Sequence, residues 1–456
     1  MSLGDALHRK PGQPGLARDG VGEADEASVG DEALLARNAQ PSQGDDDLLG
    51  QALSRENMAR AWQRVKANKG SAGVDGRTVQ QTGERLRDDW PAIRQRLLDG
   101  TYKPEPGLRV SLPKPGGGTR DLGIPTVVDR LIQQALLQVL QPLIDPTFSE
   151  HSYGFRPGRS AHQAVVAARE HVRAGYTWVV DVDLEKFFDR VNHDILMDRM
   201  AKRIGDKRVL RLIRRYLQAG ILADGMYVER VEGTPQGGPL SPLLANVLLD
   251  EVDRELERRG HRFVRYADDC NVYVKSQRAG ERVLQGLHTL YAKLRLKINE
   301  SKTAVARADG RKFLGYRVYR AGAKVTKLAV SKESLRRFKD RIRDITQCSR
   351  GRSMEQVVAA LRLFVPGWRA YFTLVETHTI WRPLDDWIRR RLRALHLRQW
   401  RHGPRIYRAL RALGADDATA AKVASLRRGY WGSSSGPINA VLTLAYFDTL
   451  GVPRLS

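Results

Sequence analysis

Apolar positions recur at helical spacing from about residue 54 onward. In 54–68, SRENMARAWQRVKAN, Met58, Trp62 and Val65 share one face behind an N-cap at Ser54. A glycine-rich loop, KGSAGVDG (69–76), precedes a second helix over 83–99 marked by Leu86, Trp90, Ile93 and Leu97. Residues 106–125 alternate short apolar runs with Pro/Gly turns and predict a hairpin. Helices are expected over 129–145 and 161–174, and YTWVVDVDL (176–184) is a strongly apolar strand. Helices dominate 189–219 and 240–259, two short strands flank Asp268-Asp269, and another helix spans 277–296. From about 325 onward the pattern is mostly helical. The order predicts an α+β fold, with a mixed sheet in the middle, helices around it and a helical module behind.

Charge changes this picture. The chain has 456 residues, 77 Lys+Arg against 52 Asp+Glu, and a formal net charge of +25. Its first 50 residues hold four basic and ten acidic residues, which leaves +31 on the remainder. That opening stretch, lacking aromatics and rich in Gly, Ala and Asp, is expected to be a disordered acidic tail. The rest is expected to meet a polyanion, because neutralising phosphates releases condensed counterions. The charge is clustered. Lys332, Arg336, Lys339 and Arg343 sit at helical spacing around Leu335, Phe338 and Ile342, and 381–411 holds ten arginines interleaved with Trp381, Trp387, Trp400 and Tyr407. Basic helices carrying aromatics suit a phosphate backbone with occasional base stacking. Two distant cysteines, Cys270 and Cys348, argue against a disulfide scaffold or zinc module. No apolar run is long enough to span a membrane, and no signal pattern opens the chain, so a cytoplasmic, nucleoid-associated setting is expected.

The candidate chemistry lies in carboxylates on apolar strands. In WVVDVDLEKFFD (178–189), alternation puts Val179, Asp181 and Asp183 on one face. In FVRYADDCNVYV (263–274), Asp268 and Asp269 fall where a hairpin tip would be. Acidic side chains so placed are costly unless solvated, hydrogen-bonded or ligating a cation. A carboxylate from the first strand beside the tip would complete a hard-oxygen site for Mg²⁺, and alternation alone does not choose between Asp181 and Asp183.

With these motifs in order, the chain resembles the reverse transcriptase/maturase proteins encoded by group II introns, over about residues 55–456. Tyr266-Ala267-Asp268-Asp269 resembles the catalytic motif of reverse transcriptases, and Asp183 followed by Phe187-Phe188 their first metal-ligand motif. GTPQGGPLSP (233–242) resembles the template-and-nucleotide loop. TRDLGIPTVVDR (119–130) and SYGFRPGRSAH (152–162) resemble finger segments of the group II branch. FLGY (313–316) resembles the primer-side motif and GWRAYF (367–372) a maturase, or thumb, signature.

The resemblance implies a right-hand polymerase: fingers and palm over 101–322 with a mixed, mainly antiparallel sheet, then a helical thumb/maturase domain over 323–412. Around these it implies an acidic tail (1–52), an N-terminal helical extension (53–100) and a C-terminal extension (413–456). It implies RNA-directed DNA synthesis with two Mg²⁺ ions held by Asp183, Asp268 and Asp269, and leaves Asp181 as a supporting residue. Phe187 or Phe188 would lie under the incoming sugar and exclude a 2′-hydroxyl. Gln236 and Gly237 would let backbone approach the nucleotide, while Lys114, Arg120 and Arg130 are candidate triphosphate or template contacts. Lys302, within NESKT (299–303), resembles a family lysine near the active site. The implied partners are the parent intron RNA, an RNA template, a DNA primer, deoxynucleoside triphosphates and target DNA. Lys332, Arg336, Lys339, Arg343 and Arg369 are the expected RNA contacts of the thumb. The absence of a Cys/His-rich or HNH-like segment resembles the branch without an endonuclease domain. Two rival expectations are a non-catalytic splicing cofactor and a defence-associated reverse transcriptase without an intron.

Overall fold

The computed structural model describes residues 47–113, 119–223, 226–234, 237–321, 325–347, 351–425 and 429–456. Lys114, Gln236, Cys348 and the expected tail as far as residue 46 lie outside these, as does the side chain of Arg120. Helices α1 (Leu48–Ala52), α2 (Arg55–Ala67) and α3 (Val79–Leu98) come first, the last two opened by Ser54 and by a Thr78–Gln81 capping box. The hairpin β1 (Gly107–Pro113)/β2 (Thr119–Ile124) leads into α4 (Val127–Ile144) and α5 (Ala161–Arg173). Strand β3 (Trp178–Val182) is followed by α6 (His193–Ala201), α7 (Lys207–Gln218), β4 (Ile221–Ala223), β5 (Met226–Val228) and α8 (Ser241–Arg258). Then come β6 (Arg262–Tyr266), β7 (Asp269–Val274), α9 (Gln277–Lys293), β8 (Ala304–Arg307), β9 (Lys312–Phe313), β10 (Tyr316–Ala321) and β11 (Val325–Val330). The chain continues through α10 (Lys332–Ile345), α11 (Met354–Tyr371), α12 (Trp381–Trp400), α13 (Gly403–Ala412), α14 (Asp417–Ala424), α15 (Gly429–Gly432) and α16 (Leu444–Thr449).

Three sheets result. The central one runs β6-β7-β3-β8, all antiparallel, and a three-stranded β11-β10-β9 sheet is also antiparallel. The third, β2-β1-β4-β5, is mixed because β1 and β4 pair in parallel. On the central sheet, Val180, Val182, Cys270 and Val272 face a core that includes Leu287 and Tyr291 of α9. Val179, Val264 and Tyr273 face a second core shared with α5 and the helices after 332. Each face is thus covered, and the polar positions of the second face are left at its end.

Some expectations are corrected. Residues 48–52 were expected in a disordered tail but form α1, because Leu48, Leu49 and Ala52 bury against the core and Leu49 N donates to Asp206 at 3.0 Å. Residues 325–330 form a strand rather than helix, since VTKLAV pairs with β10 through its full length. Strands β4 and β5 were not foreseen, although Asp224-Gly225 between short apolar runs is a hairpin signal. Apolar clusters run across the expected boundaries at 100/101 and 412/413: Ile93 and Leu97 belong to the same core as Val180 and Val182, and Ile438, Leu442 and Phe447 to the same core as Ile388 and Leu392 of α12. Among the described residues, no helix is long and apolar enough to cross a membrane.

Candidate active site

The β6–β7 hairpin closes in a two-residue turn, Ala267-Asp268, with Tyr266 paired to Asp269. Ala267 has φ +57°, a left-handed conformation that costs a residue bearing a Cβ about 1–2 kcal/mol. The surroundings hold it there. Arg265 is fully buried; its Nη1 donates to Ala267 O and to Asn246 Oδ1, both at 2.9 Å. Its Nε donates to Asp253 at 2.8 Å, and Asn246 Nδ2 donates to Gly154 O at 2.9 Å. From the other side, Tyr153 N donates to Arg265 O and Arg265 N to His151 O, both at 2.9 Å. Gly154 lies so close under the turn that a Cβ there would sit 2.2 Å from Ala267 N. The SYGF segment therefore clamps the hairpin that carries Asp268 and Asp269, which accounts for its glycine.

Strand β3 pairs with β7 so that Val182 faces Cys270, which brings Asp183 opposite Asp269. Asp183 is fixed through its backbone: Asn299 N donates to its carbonyl at 2.8 Å, and its own N–H donates to Thr303 Oγ1 at 3.1 Å. Its carboxylate accepts from Lys302 Nζ at 3.1 Å. Asp181, one step back on the same face, is paired with Arg311, whose Nε donates at 2.9 Å. Burial raises the Asp181 carboxyl, Arg311 opposes this, and the neighbouring Asp183 adds to the rise. Asp269 carries the largest effect. Burial, then the charges of Asp181, Asp268 and Asp183, push it up to about 8 against the pull of Lys312.

So many mutually repelling carboxylates in one place form a donor set of the hard-oxygen kind that Mg²⁺ takes. Among the described residues, no three His, Cys, Asp or Glu side chains stand in a metal-ligating arrangement. In the arrangement present, Asp183 is engaged by Lys302 instead. The donors fit the ion by chemistry, and an ammonium holds one of them.

Next to Phe188 lies an open cavity of about 470 Å³, lined by Leu122, Arg130, Phe155, Phe188, Gly237 and Ser241 among others. The two phenylalanines separate here: Phe187 is buried in the core, whereas Phe188 faces the cavity. The 233–242 loop docks on this turn through Thr234 N to Phe188 O and Gly233 N to Val191 O, both at 2.7 Å. Gly237, at φ +133°, approaches so closely that a Cβ would stand 3.1 Å from Gly123 O. Arg130 lines the cavity and also donates to Ser71 O at 2.5 Å, tying the glycine-rich loop to α4.

On α10, Lys332, Arg336 and Arg343 are exposed and Lys339 half-buried. Arg369 is different. Its Nε donates to Leu455 O at 2.9 Å and its guanidinium lies over Trp381, so it also braces the C-terminal segment. His151 packs on Phe263, and His162 bonds the Tyr371 carbonyl, so neither stands free to ligate. Sequence reasoning missed Arg265, Asp253, Asn246 and Arg311. Only Arg265 carried a local signal, as a cation placed directly after the apolar Phe263-Val264 of its strand.

A carboxylate-tipped hairpin on an antiparallel sheet, with an open cavity at Phe188 in the turn that follows β3, has the form of a polymerase palm. Residues 112–318 match the family model described as reverse transcriptase (RNA-dependent DNA polymerase), and residues 335–414 match the group II intron, maturase-specific domain. Protein YkfC of Escherichia coli K12 is 32% identical over 325 residues, covering 62% of this chain and 85% of that protein. The group II intron-encoded protein LtrA of Lactococcus lactis is 30% identical over 366 residues, covering 64% of this chain and 60% of LtrA. A chain of the solved partial Cas6-RT-Cas1–Cas2 complex is 28% identical over 54% of this chain and 42% of its own, with a TM-score of 0.36. The chain belongs to the group II intron family of reverse transcriptases with a maturase domain, and is an RNA-directed DNA polymerase.

Proposed function

We propose that Asp183, Asp268 and Asp269 hold two Mg²⁺ ions for nucleotidyl transfer from a deoxynucleoside triphosphate to a DNA primer annealed on intron RNA. The observation that carries this is the crowding at Asp269, where three other carboxylates share one end of a sheet. Bound there, the ions would lower the pKa of the primer 3′-hydroxyl and neutralise charge on the departing pyrophosphate. The protein's own part is positioning. The Arg265–Asp253–Asn246 network keeps the turn in its costly conformation, and the 299–303 segment fixes Asp183. Lys302 balances Asp183 and, once displaced, is at hand for a triphosphate oxygen.

Phe188 would close the floor beneath the incoming sugar and reject a 2′-hydroxyl by contact, while Gly237 gives backbone access to the nucleotide. Arg130, and by motif Lys114, Arg120 and Gln236, would meet triphosphate or template. Template sequence is read by base pairing, so the protein grips backbone shape and 2′-hydroxyls. Lys332, Arg336, Lys339 and Arg343 would bind the parent intron RNA and support splicing, and the same basic surface would meet target DNA during mobility. Asp268→Ala tests this division: cDNA synthesis on an RNA template should vanish while intron RNA affinity and splicing stay at wild-type level. Loss of both together contradicts it.

A further inference from the structure

Away from the carboxylates, α12 and the segment that follows α15 enclose an open cavity of about 700 Å³. Its polar lining is Asp386, Arg390, Arg393, Ser435, Asn439 and Thr443. Arg393 is braced by its Nε bond to Leu442 O at 2.9 Å. Arg390 is not braced in this way. Among the described residues no carboxylate pairs with it, and its buried Nε has no hydrogen-bond partner. Its guanidinium instead lies 4.3 Å from the ring centre of Trp431, an indole that remains 44% exposed. Arg391, the next residue on α12, stands between Trp431 and Trp387, 6.0 and 5.5 Å from their ring centres. Trp387 is approached in turn by Lys339 and Arg343 of α10.

Exposed tryptophan is expensive to leave in water, and an unpaired, partly desolvated guanidinium is more so. Together they form a surface that one ligand class satisfies: an aromatic ring to stack on the indole, joined to an anion for the arginines. A nucleotide within a single strand has both, whereas a duplex hides its base faces. Asp386 would repel a bare anion, but as an acceptor it suits a ribose hydroxyl.

We propose that this cleft binds single-stranded RNA, with a base on Trp431 and the flanking phosphate at Arg390 and Arg393. The inference rests on the RNA-binding reading above and names a second surface for it, on α12 and the 431–445 segment. The test is the affinity of the full chain for a single-stranded RNA 12-mer, its DNA counterpart and the duplex, as a function of salt. Trp431→Ala should weaken RNA binding by on the order of tenfold, and Trp431→Phe should restore most of it. Arg390→Gln, which keeps the packing, should reduce the log–log salt slope by about 0.7. The loss caused by Trp431→Ala should be greater for the RNA strand than for the DNA strand or the duplex. Unchanged RNA affinity in Trp431→Ala, an unchanged slope in Arg390→Gln, or a Trp431→Ala loss as large for DNA as for RNA overturns the proposal. A Lys332→Ala/Arg336→Ala variant separates the two readings. If it loses intron RNA affinity while Trp431→Ala does not, only this site fails; if neither variant loses affinity, the maturase surface fails as well.

Discussion

Phe187 and Phe188 are neighbours in one short 3₁₀ turn, yet one fills the core and the other faces an open cavity. Their substitutions should therefore separate. Phe188→Ala should leave the fold intact and let ribonucleotides in, lowering deoxy-over-ribo discrimination in primer extension by roughly ten- to a hundredfold. Phe187→Ala should cost about 3–5 kcal/mol of stability and show in the urea midpoint before it shows in sugar choice. The sequence presented both as equals, because adjacency in a tight turn says nothing about which side meets the core. Asp181 and Asp183 posed the same difficulty. Alternation gives them one face, and what separates them, Arg311 on Asp181 and Lys302 on Asp183, comes from more than a hundred residues away. Such partners are set by tertiary contact and leave no local trace.

At the scale of elements, the pattern of apolar positions was enough wherever an element buries one clean face. The cap residue Ser54, the helix over 161–174, the β1–β2 hairpin and the strands around Asp268-Asp269 all fall where periodicity puts them. It was insufficient where short strands pair with each other, as in β4–β5 and β10–β11, because three to six residues carry little period. The turn that matters most is held by its neighbours rather than by its own preferences. Gly154→Ala pushes a methyl group into Ala267 N, so cDNA synthesis should fall on the order of a hundredfold, as for a misplacement of about 1 Å. RNA affinity, measured in parallel, should not move.

On α12, His396 is buried against Trp400 and Phe447, and its Nε2 lies 3.0 Å from the Tyr446 hydroxyl. Burial holds it down to about 4, with Glu355 pulling weakly upward. The unfolded chain takes up a proton near pH 6.5 and the folded chain only near 4, so stability should fall as pH drops through that window. The loss, about 3 kcal/mol at most, should be absent from His396→Gln, and the difference between the two urea midpoints against pH reads it directly.

At the scale of the molecule, residues 47–456 form one compact unit with two apolar cores, one on each side of the central sheet. That sandwiching gives the carboxylates their character. Both sheet faces are occupied by packing, so the acids gather at the one end left open and raise one another. Net charge announced a polyanion partner, and ordered motifs announced the polymerase, but neither could show that the N-terminal helices and the C-terminal segment are built into the same cores. The proposed use of Asp183, Asp268 and Asp269 as one site depends on the whole chain. It needs β3, the hairpin, the SYGF clamp and the 299–303 segment at once.

The most direct test is the rate of primer extension on an RNA template with Mg²⁺ for Asp183→Ala, Asp268→Ala, Asp269→Ala and Asp181→Asn. Each of the first three should lose about a thousandfold or more, as expected when the groups act as a unit, while Asp181→Asn should remain within about tenfold of wild type. Near-normal extension by Asp183→Ala, or a loss in Asp181→Asn equal to the other three, would contradict the account.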